Sequence, residues 1–211
     1  MNDALLKWVL TNETTGHIIG LMAKPNVRDK IVRAGLDLFH RAGFNGSSVE
    51  DITDLAEVPK GSFYNHFKSK EDLALAVIDR YVETGPQEML ADTAIPPLKR
   101  LKAYFAALGQ EFMDSGYNRG CLLGNFSSEL ADHSAAVRRR LESAFGDWAK
   151  SIAGVIKEAQ KAGELDSKLK SEQLAGVLLS AWEGALLRAR VTGESAPLKE
   201  FMGIGFGRLL G

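Results

Sequence analysis

With 211 residues, 45% hydrophobic and 25% charged, the chain has the composition of a folded protein of one large or two small domains, which excludes a disordered chain. Lys and Arg (26) nearly balance Asp and Glu (27), so a nucleic-acid partner has to be met by a local basic patch and not by overall charge. Cys121 is the only cysteine, which excludes intrachain disulfides and cysteine-only metal sites.

The four histidines are dispersed without metal-ligand spacing, and no run of about 20 apolar residues or secretory signal is found, so the expectation is a cytoplasmic protein with no metal, cofactor or membrane anchor. Hydrophobic spacing of the 3.6-residue type recurs and sustained period-2 alternation does not, which predicts an all-α fold. Residues 1–23 form an extension with two apolar stretches around a threonine-rich break, read either as an extra amphipathic helix or as sequence upstream of a start at Met22. From Asn26 onward, Ile31, Ala34, Leu38 and Phe39 share a helical face, and Gly43 is placed to end that helix. Ser48 with Asp51 caps a short helix expected to turn Val49, Ile52 and Leu55 inward. Pro59 opens the next helix, PKGSFYNHF, and Ser69 with Asp72 caps a fourth over Leu73, Val77, Ile78 and Tyr81.

Gly85 and Pro86 interrupt the pattern, which divides the chain into 24–84 and 85–211. Beyond them Leu98, Leu101, Phe105, Leu108 and Phe112 form one packing seam, and Val137, Leu141, Phe145, Trp148, Ile152, Val155 and Ala159 form another. The segment from Ser171 to Val191 is apolar on more than one side. In it Gly176, Ser180 and Gly184 recur every four residues, a stripe that lets another helix approach closely. That stripe, with Leu178, Ala181 and Ala185, is the expected subunit interface. A last apolar tail runs from Leu198 to Leu210.

Three short helices closing at Phe67 have the proportions of a helix-turn-helix. Lys60, Lys68 and Lys70 with no acidic residue give the window from Pro59 to Lys70 a charge of +3. Gly61 and Ser62 keep the helix start slim, Tyr64, Asn65 and His66 offer hydrogen-bonding groups, and Phe63 and Phe67 anchor the helix to its core. On composition alone a solvated helix end is the simpler account of these lysines. The order of residues is more specific: Ile52, Gly61, Ser62, Tyr64, His66, Phe67, Ser69, Lys70 and Glu71, within VEDITDLAEVPKGSFYNHFKSKEDL, resemble the N-terminal region of TetR-family transcriptional regulators. The resemblance spans about residues 26–82. It implies an N-terminal three-helix helix-turn-helix domain, a C-terminal helical ligand-binding and dimerisation domain, a homodimer and a palindromic double-stranded DNA operator. Carried over position by position, Lys60, Gly61, Ser62, Tyr64, Asn65 and His66 match the recognition helix, Lys70 a phosphate contact, and Ser47 and Ser48 the phosphate-facing start of the preceding helix. Glu57 stands in the turn where many members have glycine, and a left-handed conformation there would cost about 1 kcal/mol.

The stretch RGCLLGNFSSEL, Arg119 to Leu130, carries the lone thiol at the start of a helix, where the helix dipole favours thiolate. A buried small hydrophobe is the other reading of Cys121. Gly120, Cys121, Ser127, Ser128 and Glu129 resemble the NemR/AcuR-like subgroup of the same family, in which NemR-like members sense electrophiles or oxidants through this cysteine with help from a late lysine. Arg190 occupies the lysine's place here. The resemblance implies a repressor relieved by a small molecule or by electrophile or oxidant modification of Cys121. Tyr104 and Trp148, aromatic with polar tips, are the candidates for an effector pocket. No base stands reliably near Cys121 and the glycines at 203, 205 and 207 lack P-loop spacing, so no catalytic residue and no enzyme is expected. A helical dimeric small-molecule-binding protein without DNA binding is the alternative. The run Arg138–Arg140 reads as a solvated helix face.

Overall fold

The computed structural model describes residues 26–166 and 168–210, and the expectation for residues 1–23 lies outside the described residues. The described residues are all-α, without a strand. The first helix, α1 (Val27–Ala42), starts where the Asn26 side chain accepts the Asp29 amide at 2.8 Å, and ends at Gly43, whose φ of 80° suits a residue without Cβ. It buries Ile31, Val32, Ala34, Gly35 and Phe39. Gly35 is there for closeness: a Cβ on it would meet Leu73 Cδ2 at 3.0 Å, so α1 crosses the fourth helix tightly.

Helix α2 (Val49–Leu55) carries the full capping box, Ser48 accepting the Asp51 amide and Asp51 the Ser48 amide. It turns Ile52 and Thr53 inward, with Ala56 just beyond its end, and leaves Leu55 46% exposed, against the expectation that Leu55 points into the core. With only two turns, the face is fixed by the contacts of Ile52, and Leu55 falls to its flank. The turn then runs through Glu57 at φ 53°, so the chain takes the left-handed conformation there without a glycine, and enters α3 (Lys60–Tyr64). Helix α3 is shorter than the PKGSFYNHF pattern promised, and His66 and Phe67 lie past its end. Helix α4 (Lys70–Thr84) is capped by Ser69, which accepts the Asp72 amide at 3.2 Å, and buries Leu73, Ala74, Val77 and Ile78.

A one-turn α5 (Glu88–Ala91), unmarked in the hydrophobic pattern, leads into α6 (Pro97–Asp114), α7 (Leu122–Leu130), α8 (Ala135–Lys161), α9 (Ser171–Thr192) and α10 (Ala196–Ile204), followed by a π-turn at Gly205–Leu209. Helices α6, α8, α9 and α10 share one core, in which Phe105, Trp182, Phe201 and Phe206 pack ring against ring with centroids 5.1–6.3 Å apart. Arg100 is buried in this core and tied to Glu158 of α8. The two halves meet along α7, where Phe126 packs edge-on against Phe39 of α1 and Phe44 of the following loop. Along α9, Leu178 and Ala185 are buried in the protomer's own core, which removes them from the expected subunit face. Gly176, Ser180 and Ala181 do point outward, as do Val177, Leu187 and Val191, the last 88% exposed.

Candidate nucleic-acid interface and cavity

Helix α3 is pinned by one side chain, Phe63, fully buried and stacked edge-on against Tyr64. Its remaining residues therefore face outward. Lys60, Gly61, Tyr64, Asn65 and His66 are exposed and Ser62 is half-exposed, with no atom within 4 Å of where a Cβ on Gly61 would stand. Tyr64 presents 60% of its surface. Lys60 rests on Glu50 at 3.1 Å, an exposed pair that costs little to break.

Two of the residues matched to phosphate contacts are occupied otherwise. Ser47 is buried and its hydroxyl donates to the Gly43 carbonyl at 2.8 Å. Lys70 donates through Nζ to the carbonyls of Phe44 and Ser47, both at 2.8 Å, and sits 4.1 Å from the Phe44 ring centroid. Its ammonium braces the α1–α2 loop, and partial burial lowers its pKa. Ser48 stays exposed, its hydroxyl engaged with Asp51 at 2.6 Å.

The same loop is held from the other side. Glu129 of α7 accepts the amides of Phe44 at 3.1 Å and Asn45 at 2.8 Å. Arg119 pairs with Asp37 of α1 at 2.8 Å, and His40 of α1 bonds the Gly120 carbonyl at 2.7 Å. Desolvation lowers the His40 pKa, and the nearby Arg119 and Arg190 guanidiniums lower it further, so the ring is neutral and donates through Nε2. The segment preceding Cys121 is thus tied at several points to the helix that carries the head.

Behind that segment lies a cavity of about 1020 Å³. All four residues expected to sense an effector line it: Cys121, Tyr104, Trp148 and Arg190. Trp182 and Phe112 add to its aromatic lining, and Arg33, Arg41, Arg80 and Arg119 also line it, each paired with Asp29 or Asp37. Trp148 is 9% exposed, and its indole N–H has no acceptor in hydrogen-bonding geometry. Burial pushes the Tyr104 hydroxyl far above its usual range.

Cys121 is the N-cap of α7 and 6% exposed. The helix dipole does not win there. Desolvation raises the thiol pKa strongly, and the carboxylate of Glu183 from α9 raises it further, outweighing the amides of the first turn. The expected thiolate is therefore absent at rest. Arg190 does not support one either, since its Nη1 donates to Asn125 Oδ1 at 3.1 Å. Glu183 was unmarked in the sequence; it sits 62 positions from Cys121 and is delivered by α9, which packs on α8 and α10 and reaches Cys121 and Gly124 through side chains. Gly124 makes room for it, because a Cβ there would collide with Glu183 Oε2. Burial raises the pKa of the Glu183 carboxyl, and its Oε1 has no hydrogen-bond partner.

Among the described residues no three His, Cys, Asp or Glu side chains cluster as metal ligands, and no helix is long and apolar enough to cross a membrane. Two family patterns match the chain: "Bacterial regulatory proteins, tetR family" over residues 31–77 and "Tetracyclin repressor-like, C-terminal domain" over residues 97–204. The transcriptional repressor DhaR of Mycobacterium sp. strain GP1 is 40% identical over 192 residues, 90% of this chain and 95% of that protein. The transcriptional regulator AcuR of Cereibacter sphaeroides is 34% identical over 81% of this chain and 80% of its own length. Among solved structures, a regulatory protein TetR from Rhodobacter sphaeroides superposes with TM-score 0.80 at 32% identity, covering 88% of this chain and 99% of the other. Reduced Escherichia coli NemR superposes with TM-score 0.76 at 26% identity, covering 84% and 94%. The helix-turn-helix head, the helical second half and these relatives set aside both an enzyme and a helical binding protein without a DNA-reading role: the chain belongs to the TetR family of transcriptional regulators.

Proposed function

We infer that the protein is a homodimeric repressor that holds a palindromic operator through two copies of α3 and leaves it when a small electrophile, such as an α,β-unsaturated carbonyl, is captured at Cys121. Residues 24–84 form the DNA-binding unit and residues 85–211 the effector and dimer unit. Lys60, Ser62, Tyr64, Asn65 and His66 read the groove and its phosphates, with the start of α2 at Ser48 beside the backbone. The exposed face of α9, from Gly176 to Val191, is the subunit contact. One observation carries the effector reading: Cys121, Tyr104, Trp148 and Arg190, chosen far apart in sequence, line one cavity whose rim is tied to α1. A resting thiol with a raised pKa favours electrophiles that enter and dwell over oxidants that need a free thiolate.

The test has two parts. Genomic DNA fragments retained by the purified protein supply the operator, and fluorescence anisotropy then follows release by methyl vinyl ketone. Wild type should dissociate, Cys121→Ser should bind equally well and stay bound, and Lys60→Ala and Tyr64→Ala should weaken binding, Lys60→Ala with a salt slope smaller by about one. A Cys121→Ser protein that still releases DNA at the same dose overturns the covalent reading.

A further inference from the structure

A thiol that is protonated at rest reacts with a carbon electrophile only if something takes its proton as the S–C bond forms. Cys121 has one acceptor at hand. Glu183 and Cys121 line the same small cavity of about 30 Å³, both against Gly124, with one carboxylate oxygen buried and unpartnered. Cys121 also opens onto the large cavity, where the Trp148 N–H, itself buried and without an acceptor, marks a place for a ligand oxygen. Tyr104 lines the same cavity as Trp148 and Cys121. Nucleophile, proton acceptor and electrophile-activating donor thus surround one space.

We propose that Glu183 is the proton acceptor that lets the Cys121 thiol add to an activated alkene whose carbonyl oxygen is held by Trp148. This rests on the capture of an electrophile at Cys121 argued above. As the electrophile settles, the sulfur lone pair forms the S–C bond at the β-carbon while the S–H proton passes to the Glu183 carboxylate. The alkene π pair moves onto the α-carbon and carbonyl oxygen, where the indole N–H stabilises the enolate. The proton then returns from Glu183 to the α-carbon, leaving a neutral thioether and an ionised Glu183. Nothing is oxidised, and atoms and charge balance. The carboxylate has two opposed effects: its charge suppresses thiolate, and its basicity replaces thiolate. Unselective thiol reagents are therefore met by a quiet cysteine, and molecules that fit the cavity by a reactive one.

These two effects separate in a rate profile. Because Cys121 is the only cysteine, adduct formation with methyl vinyl ketone can be followed by intact mass, with Cys121→Ser as the background. Between about pH 7 and about pH 9 the neighbouring groups hold still: His40 of α1 is neutral, Tyr81 of α4 and Tyr104 of α6 stay protonated, and the guanidinium groups facing the space are those of Arg119 and Arg190. Burial raises the pKa of two facing carboxyls, Glu111 of α6 and Glu183 itself, so the window is set on the alkaline side of the usual carboxylate range. Wild type should react at a rate nearly independent of pH there. Glu183→Gln should be at least about tenfold slower at pH 7, with a rate that climbs about tenfold per pH unit, the signature of a free thiolate. Glu183→Asp should recover part of the flat profile, and unchanged operator affinity of both unmodified variants shows that they are folded. A wild-type rate that already climbs tenfold per unit, with Glu183→Gln equal or faster, overturns the proposal: the carboxylate then acts by charge alone, and capture at Cys121 stands. Native wild type that forms no adduct overturns both.

Discussion

Glu129→Ala tests the join between the two halves. The carboxylate accepts two backbone amides of the α1–α2 loop, Phe44 N–H at 3.1 Å and Asn45 N–H at 2.8 Å. A hydrogen bond to a charged group is worth about 1.5–3 kcal/mol when its surroundings are dry. The Asn45 amide is at the surface and water replaces its partner, which brings its share below about 1 kcal/mol; the Phe44 amide is half-buried and keeps most of its value. The expected loss is therefore roughly 1.5–3 kcal/mol, or a fall in Tm of roughly 4–10 °C for a chain of this length. Glu129→Gln keeps one carbonyl acceptor and should lose less than half as much. Urea unfolding at fixed protein concentration, so that dimer association does not enter, reads the stability, and operator anisotropy reads the coupling. The loop sets how α2 and α3 leave α1, so affinity should fall as well. If Glu129→Ala lies within about 0.5 kcal/mol of wild type and binds DNA equally, the carboxylate is an exchangeable surface contact and α7 does not hold the head.

Glu57→Gly should stabilise the protein by about 0.5–1 kcal/mol in the same urea assay, because glycine relieves the left-handed φ of 53°; a destabilised variant would mean that the Glu57 side chain makes up the strain. His40 is buried neutral, so as pH falls below about 6.5 the unfolded chain binds the proton first; stability complete above that pH should decline toward the lowered folded pKa. His40→Asn should flatten that decline, and an unchanged pH dependence would assign it to other groups. Leu187→Glu, on the exposed face of α9, should shift sedimentation from dimer to monomer while helicity stays intact; an undisturbed dimer places the subunit contact elsewhere.

What the sequence disclosed of this molecule was what is local. The caps at Ser48 and Ser69 each depend on residues within four positions, and each appears in the structure. The direction of Leu55 was not legible, since two helical turns give a period too few repeats to fix a face. The engagement of Lys70 was not legible for a related reason: a basic residue in a basic window reads as a phosphate ligand until the carbonyls of Phe44 and Ser47, 26 and 23 positions earlier, are seen to hold it. At Cys121 position and ionisation parted company. The helix start was evident from the string of glycines, whereas the burial and the Glu183 carboxylate that reverse the dipole's effect come from helices packed 62 residues away.

The outward side of α3 does almost nothing for the fold. Phe63 alone of its residues is buried, Lys60 makes one exposed ion pair, and the α1–α2 loop is braced by Glu129, Lys70 and Ser47, none of which points outward from α3. Substitutions at Lys60, Ser62, Tyr64, Asn65 and His66 are thereby free of the stability threshold that constrains most of the chain. Such a surface drifts cheaply: on the reading proposed above, a lineage, or an engineer, can trade one set of side chains for another and retarget the regulator to a different operator while the second half of the chain, and its response to a signal, remain as they are.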